Sequence, residues 1–353
     1  MNISNKLSFD FQTTQRLINI IGRIDSFKGN WNAIEIKENV YLKELKRIAT
    51  IESIGSSTRI EGATLTDKEV KELLNNIKIT KLTSRDEQEI MGYYDTLDLI
   101  FDAYQDMPLT ESNIKSLHST LLKYSDKDYR HKGNYKQLSN KVVATYPDGS
   151  QRLIFNTTEP HLVSKELEDL LIWTNDLLHS QEIHPLIVAG TFIYEFLSIH
   201  PFQDGNGRLS RLLTTLLLLR NGYPFIQYIS FENLIEQKKK EYYQVLIDGQ
   251  KNRYTDNERV DKWLLFFMEA LEVLTKRLEE KYNTYKTKGG YLNSRQKDIV
   301  AFIREHQPLK VGDISKSFKE ISINTIKKDL LHMRNEGIIS TIGQGKGTVY
   351  IVL

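Results

Sequence analysis

Two stretches set the frame of this chain. Leu186–Ile199 and Gly207–Leu219 are apolar on most faces at helical spacing, and only the segment His200–Asn206 separates them. A helix that is apolar all round has to be buried, so these two are predicted to be the central helices of a bundle. Other segments supply one-sided partners for them. Apolar residues recur at three- and four-residue steps in Leu42–Ile54, Glu69–Ile77, Glu87–Ala103, Asn113–Tyr124 and His161–Leu178, the pattern of amphipathic helices. Thr66 and Asp67 before Val70, and Thr110 before Ile114, read as helix starts.

The chain has 353 residues, which argues for two or three folding units. Its 40% hydrophobic and 27% charged residues are those of a globular protein, and a net charge of +2 gives no reason to expect nucleic acid or membrane. Without any cysteine, disulfides, thiolate metal sites and a cysteine nucleophile are excluded. The start, MNISNKLSFDFQ, lacks the layout of a secretory signal, and the longest apolar run, Leu212–Leu219, is too short to span a bilayer. A cytoplasmic protein with no membrane partner is expected.

One segment departs from helix. Lys141-Val-Val-Ala-Thr-Tyr, Pro147-Asp-Gly-Ser and Arg152-Leu-Ile-Phe read as strand, turn and strand. A lone hairpin in a helical domain is poorly stabilised by itself, which suggests a flap that meets a ligand or target. A boundary falls near Tyr285–Gly290, after a charged helix over Val260–Tyr282. Beyond it, helices over Ser294–Glu305, Val311–Phe318 and Ile323–Asn335 precede two short strands around Gly343-Gln-Gly-Lys-Gly, the order of a winged helix-turn-helix module. From Tyr291 on there are ten Lys and Arg against six Asp and Glu, a net of +4.

The chemistry concentrates in Ser198-Ile-His200-Pro-Phe-Gln-Asp204-Gly-Asn206-Gly-Arg208-Leu-Ser-Arg211. Gly205 and Gly207 permit backbone angles closed to other residues, and Asn206 tolerates them better than most. Such a loop can turn successive N–H groups toward an anion at the start of the next helix. Arg208 and Arg211 are three apart on that helix and can reach phosphate oxygens. Asp204 is the loop's only carboxylate and suits Mg²⁺ held against phosphates. His200 alone can accept a proton near neutral pH. Together these parts specify phosphoryl or nucleotidyl transfer.

At every fixed position from His200 to Arg211 this stretch matches HPFxDGNGRxxR, the signature of the Fic family, which the chain resembles over roughly residues 8–250. Gly133-Asn-Tyr135-Lys136 resembles the family's lead into its flap, with Lys136 where Arg is usual. The resemblance implies a mainly α fold: a Fic-type helical bundle with a β-hairpin flap, here followed by the winged module. The implied organisation is an N-terminal helical region (1–108), a catalytic core (109–252), a connecting helix and linker (253–290) and the winged module (291–353). It implies an adenylyltransferase that moves AMP from ATP to a Ser, Thr or Tyr hydroxyl of a protein, itself included. His200 would be the general base and Asp204 the Mg²⁺ ligand. The amides of Gly205, Asn206, Gly207 and Arg208 would form the anion hole, with Arg211 on the γ-phosphate. Tyr242 and Gln250 would lie at the adenine end. Val142, Val143 and Ala144 would align an extended target segment by β-augmentation. A homodimer is the family's habit.

Upstream, Ser57-Thr-Arg-Ile-Glu61-Gly62 resembles the family's inhibitory motif. Ser57 and Glu61 share one helical face, and a carboxylate paired with Arg211 would take that arginine from the γ-phosphate. Two other readings stay open. Glu61 could orient water for removal of AMP, or another nucleotide or phosphodiester could be the donor. Alternatively, the chain is an ATP-sensing DNA-binding regulator, with Lys327, Lys328 and Arg334 on the recognition helix and Lys346 in the wing.

Overall fold

The computed structural model describes residues 3–35, 40–76, 82–145, 151–287, 292–335, 337–343 and 345–352. Its helices are α1 (Phe11–Glu35), α2 (Val40–Ile60), α3 (Asp67–Asn75), α4 (Arg85–Ala103), α5 (Glu111–Leu121), α6 (Pro160–Ser180), α7 (Pro185–Ile199), α8 (Asn206–Arg220), α9 (Phe231–Gln237), α10 (Lys239–Gln250), α11 (Asp261–Thr287), α12 (Ser294–His306), α13 (Val311–Ser317) and α14 (Ile323–Asn335). The strands are β1 (Lys141–Thr145), β2 (Gln151–Asn156), β3 (Leu309–Lys310), β4 (Ile339–Ile342) and β5 (Val349–Val352). Chain contacts group Met1–Glu38 with Leu45–Leu278, and Asn39–Glu44 with Glu279–Leu353.

In the larger unit the two all-apolar segments are its central helices, α7 and α8. Every residue of α7 from Val188 to Ile199 is buried, and so is all of α8 from Arg208 to Leu219. α7 packs between α6 and α8, and α8 also meets α4. Each large side chain fully removed from water here contributes about 1.5–3 kcal/mol, so the loop joining α7 to α8 hangs from two well-buried helices. The helix starts read from the sequence are capped as expected. Thr66 and Glu69 form a reciprocal capping box on α3, and Thr110 accepts from Asn113 N–H at α5. The 25-residue α1 carries its buried stripe on Leu17, Ile20, Ile24 and Trp31.

β1 and β2 form the antiparallel hairpin, with a register shift between Val142 and Val143. The expected turn at Pro147–Ser150 lies outside the described residues, as do the side chains of Val143 and Ala144. In the smaller unit, α12, α13 and α14 close over a core of Ile299, Ile303, Ile314, Ile326, Leu330 and Met333. Its sheet has the order β3-β5-β4, one strand more than the sequence suggested, because Leu309 and Lys310 pair with Tyr350 and Val349. Among the described residues no helix is long and apolar enough to cross a membrane.

Candidate active site

The site begins where α7 stops. His200 caps that helix in the left-handed region (φ 53°), with its N–H still bonded to Phe196 O at 2.9 Å. The loop then turns on Gly205 (φ 79°), which starts α8. A side chain is strained at that φ, so glycine is required there. Asn206 closes the loop. Its side chain accepts from Phe202 N–H at 2.9 Å and donates to Phe202 O at 2.8 Å. Leu209 makes the first helical bond, to Gly205 O. The amides of Asn206, Gly207 and Arg208 are therefore the free donors of a helix N-terminus, a ready anion site.

A second histidine, His118 on α5, holds the loop from beneath. It stacks on Phe202 with ring centroids 3.7 Å apart. Its Nδ1 accepts from Gly133 N–H at 2.9 Å, so Nε2–H donates to Asp204 O at 3.0 Å. Burial pushes His118 down to about 4, which keeps this neutral form. Nothing at the motif's spacing announces His118. The only signal is a histidine on the apolar stripe of α5, beside Ile114, Leu117 and Leu121.

His200 lies half-buried in the cleft. Its Nδ1 is 3.2 Å from Leu197 O, and since a carbonyl only accepts, Nδ1 carries the hydrogen and Nε2 keeps a lone pair. Burial, reinforced by the nearby Lys136 ammonium, pushes His200 down to about 4. It is thus unprotonated at neutral pH, the state a general base needs. Asp204 is ionised: burial works against its charge, but Arg208 and Lys127 outweigh this. Lys127 Nζ lies 2.6 Å from Oδ2, while Gly205 N–H donates to Oδ1 at 2.6 Å.

Arg211 is buried and held through Nε and Nη2. Its Nε donates to Ser57 Oγ at 2.8 Å, and its Nη2 to Ser57 O at 3.0 Å and Glu61 Oε1 at 2.8 Å. Burial disfavours charge on Glu61, but Arg211 holds its carboxylate below the ordinary range. A Cβ on Gly207 would sit 2.3 Å from Glu61 Oε1, so the missing side chain at 207 leaves the space that Glu61 uses. A cleft of about 220 Å³ brings together Glu61, His200, Asp204, Gly205–Gly207, Arg211, Val142 and Tyr242.

Three sequence-predicted contacts differ. The amide of Gly205, expected in the anion hole, donates instead to Asp204 Oδ1 at 2.6 Å, because the glycine turn faces it back onto the loop's carboxylate. Arg208 was expected to offer its guanidinium to phosphate, but the side chain is buried and faces Glu89 at 3.2 Å and Asp204 at 3.3 Å. An arginine one turn into a buried helix has its carboxylate partner inside, and only its amide is left for the cleft. Gln250 was expected at the adenine end. Instead its Nε2 donates to Ser198 Oγ, and it does not line the cleft. Tyr242 lines the cleft and also packs on Tyr243, Trp263 and Phe266.

This geometry coincides with a known class. Over residues 108–218 the chain matches the Fic/DOC family, and it carries a Fic/DOC family domain. Among curated proteins it is 29% identical over 255 residues to a protein adenylyltransferase Fic of Drosophila grimshawi, covering 70% of this chain and 49% of the relative. The chain thus spans about half the length of that relative. A solved Fic family protein from Desulfovibrio desulfuricans G20 shares the fold with a TM-score of 0.66 at 22% identity, over 99% of this chain and 98% of that one. A Fic domain-containing signaling protein from Bacteroides thetaiotaomicron VPI-5482 gives 0.61 at 25% identity, over 74% and 97%.

Proposed function

We propose that the chain is a protein adenylyltransferase held in check by its own Glu61. The observation that carries this is the coincidence, in one cleft, of a neutral His200, an ionised Asp204, three free helix amides and an Arg211 already occupied by Glu61. ATP would lie with its phosphates on the amides of Asn206–Arg208 and its γ-phosphate on Arg211 once Glu61 withdraws. His200 Nε2 would take the proton of a Ser, Thr or Tyr hydroxyl as that oxygen bonds the α-phosphorus. The α–β bridge breaks, and diphosphate leaves with the electron pair. The amides oppose the charge that grows on the α-phosphoryl oxygens.

Among the described residues no cluster of three or more His, Cys, Asp or Glu side chains could hold a metal alone. One carboxylate beside a polyphosphate is nevertheless the donor set that suits Mg²⁺, which keeps several waters and phosphate oxygens as ligands. Asp204 would hold it, and the ion would neutralise charge on the leaving diphosphate. Val142, Val143 and Ala144, on a hairpin of only two strands, would offer an edge to an extended target. A cytoplasmic setting and a homodimer remain parts of this proposal.

ATP labelled in either the α- or the γ-phosphate tests the reaction. Glu61→Gly protein should retain the α-label and not the γ-label, and adding His200→Ala should abolish retention. Retention of the γ-label would mean phosphoryl transfer and end the proposal.

For the smaller unit we propose a winged helix that grips duplex DNA. Lys327, Lys328 and Arg334 are exposed on α14, beside an exposed Leu331; the side chain of Lys346 lies outside the described part. Retention on duplex DNA should fall steeply with salt. No retention of the full chain even at low salt would remove this reading.

A further inference from the structure

Lys136 is a buried lysine with a complete set of acceptors. Its Nζ donates to Asn140 Oδ1 at 2.9 Å, Thr157 Oγ1 at 2.7 Å and Ile199 O at 3.1 Å. Its own N–H donates to Pro201 O at 2.9 Å. One residue therefore bonds the carbonyls on both sides of His200. Asn140 directly precedes β1 and Thr157 directly follows β2, so the same ammonium also ties the two feet of the hairpin together. Asn140 Nδ2 continues the link to Phe202 O at 2.9 Å.

This bracket answers a structural need. His200 has a Cβ yet sits in the left-handed region, a conformation that persists only where the surroundings over-determine it. Its N–H and Nδ1 are anchored backward, to Phe196 O and Leu197 O. On the forward side, the carbonyl of Pro201 is held by Lys136.

We propose that Lys136 is a positioning residue: it fixes His200 in its catalytic conformation and locks the target-docking hairpin to the same loop, so that base and target strand move as one body. The inference rests on the function proposed above. A positioned base contributes through geometry and through its protonation state, and Lys136 acts on both. Around His200 the charged groups are Lys136 from the segment before the hairpin, Glu61 after α2 and Asp204 from its own loop, with Lys141 of β1 and Arg211 of α8 lining the same cleft. Burial lowers the His200 ring most, and Lys136 is the cation among them that adds to it. Glu61 and Asp204 act in the opposite sense.

The test uses the full chain in the Glu61→Gly background, with Lys136→Met, Lys136→Gln and Lys136→Arg. His200 ring resonances are followed by NMR against pH, alongside kcat and KM for ATP in self-adenylylation. With Met or Gln the ring should titrate at higher pH than with Lys, kcat should fall about 100-fold for a misplaced base, and KM for ATP should stay within about twofold. Arg, which keeps the cation and its donors, should restore both readouts. The Gln variant keeps a polar group at a buried position and serves if Met does not fold. An unchanged ring titration with an unchanged kcat in either neutral variant would overturn the proposal. If the Glu61→Gly parent itself transfers no AMP, the functional reading fails, while the ring titration still decides whether Lys136 controls His200.

Discussion

Arg211 carries two incompatible jobs in this account, and the cost of freeing it is set by single hydrogen bonds. Ser57 supplies one of them through its hydroxyl and another through its carbonyl. Ser57→Ala removes the hydroxyl bond from the charged Arg211 together with the hydroxyl's contact to Tyr93, a loss of about 1.5 kcal/mol or slightly more. Self-adenylylation of the otherwise wild-type chain should then rise about tenfold, less than in Glu61→Gly, as measured by initial rates of AMP incorporation. No increase would mean that the Ser57 hydroxyl takes no part in holding Arg211. That His200, Asp204, the glycines and Arg211 share one cleft could be read in advance, because they lie within twelve residues of sequence. What could not be read is where long side chains point. Arg208 looked like a phosphate ligand and is buried against Glu89, a residue more than a hundred positions away. His118 and Lys136 support the loop from separate elements, and no local spacing links either to the motif.

At the scale of elements, the proposed brake follows directly on the end of α2, and that end is clamped. Arg59 at the last turn of α2 makes a two-pronged pair with Glu236, Nε at 2.7 Å and Nη2 at 3.0 Å, and its Nη1 reaches Asp67 at 2.9 Å. Lys239, at the start of α10, donates to Ile60 O at 2.8 Å. These bonds fix the direction in which the chain leaves α2, and with it the place of Glu61. Arg59→Ala should lower stability by about 1 kcal/mol, since the pair is partly exposed and screened. It should also raise AMP incorporation in the wild-type background while adding nothing to Glu61→Gly. An increase in both backgrounds would show that the clamp acts on the catalytic loop and not through the brake. The helices around α7 and α8 were legible because burial of one face imposes a 3.6-residue period. α1 was not singled out, because its stripe of Leu17, Ile20, Ile24 and Trp31 is diluted by glycines and threonines. The short strand β3 was also missed: two residues give no period, and only the partner strand β5 defines them.

On the scale of the whole molecule, the balanced charge of the sequence hides a division of labour. The net +2 of the chain includes a C-terminal segment that alone carries +4, while the rest is slightly acidic and holds the cleft of His200 and Arg211. Composition averages over both units and so could not separate them, whereas the change from an extended helical bundle to a short helix-and-strand pattern could. The larger unit is where the claim of an internally braked transferase stands or falls. Intact-mass spectrometry after incubation with Mg²⁺ and ATP addresses it most directly, on wild type, Glu61→Gly and Glu61→Gly with His200→Ala. The expected result is the mass of one or more AMP groups on the single variant, little on wild type and none on the double variant. Equal AMP on wild type and Glu61→Gly, or AMP persisting without His200, would contradict it.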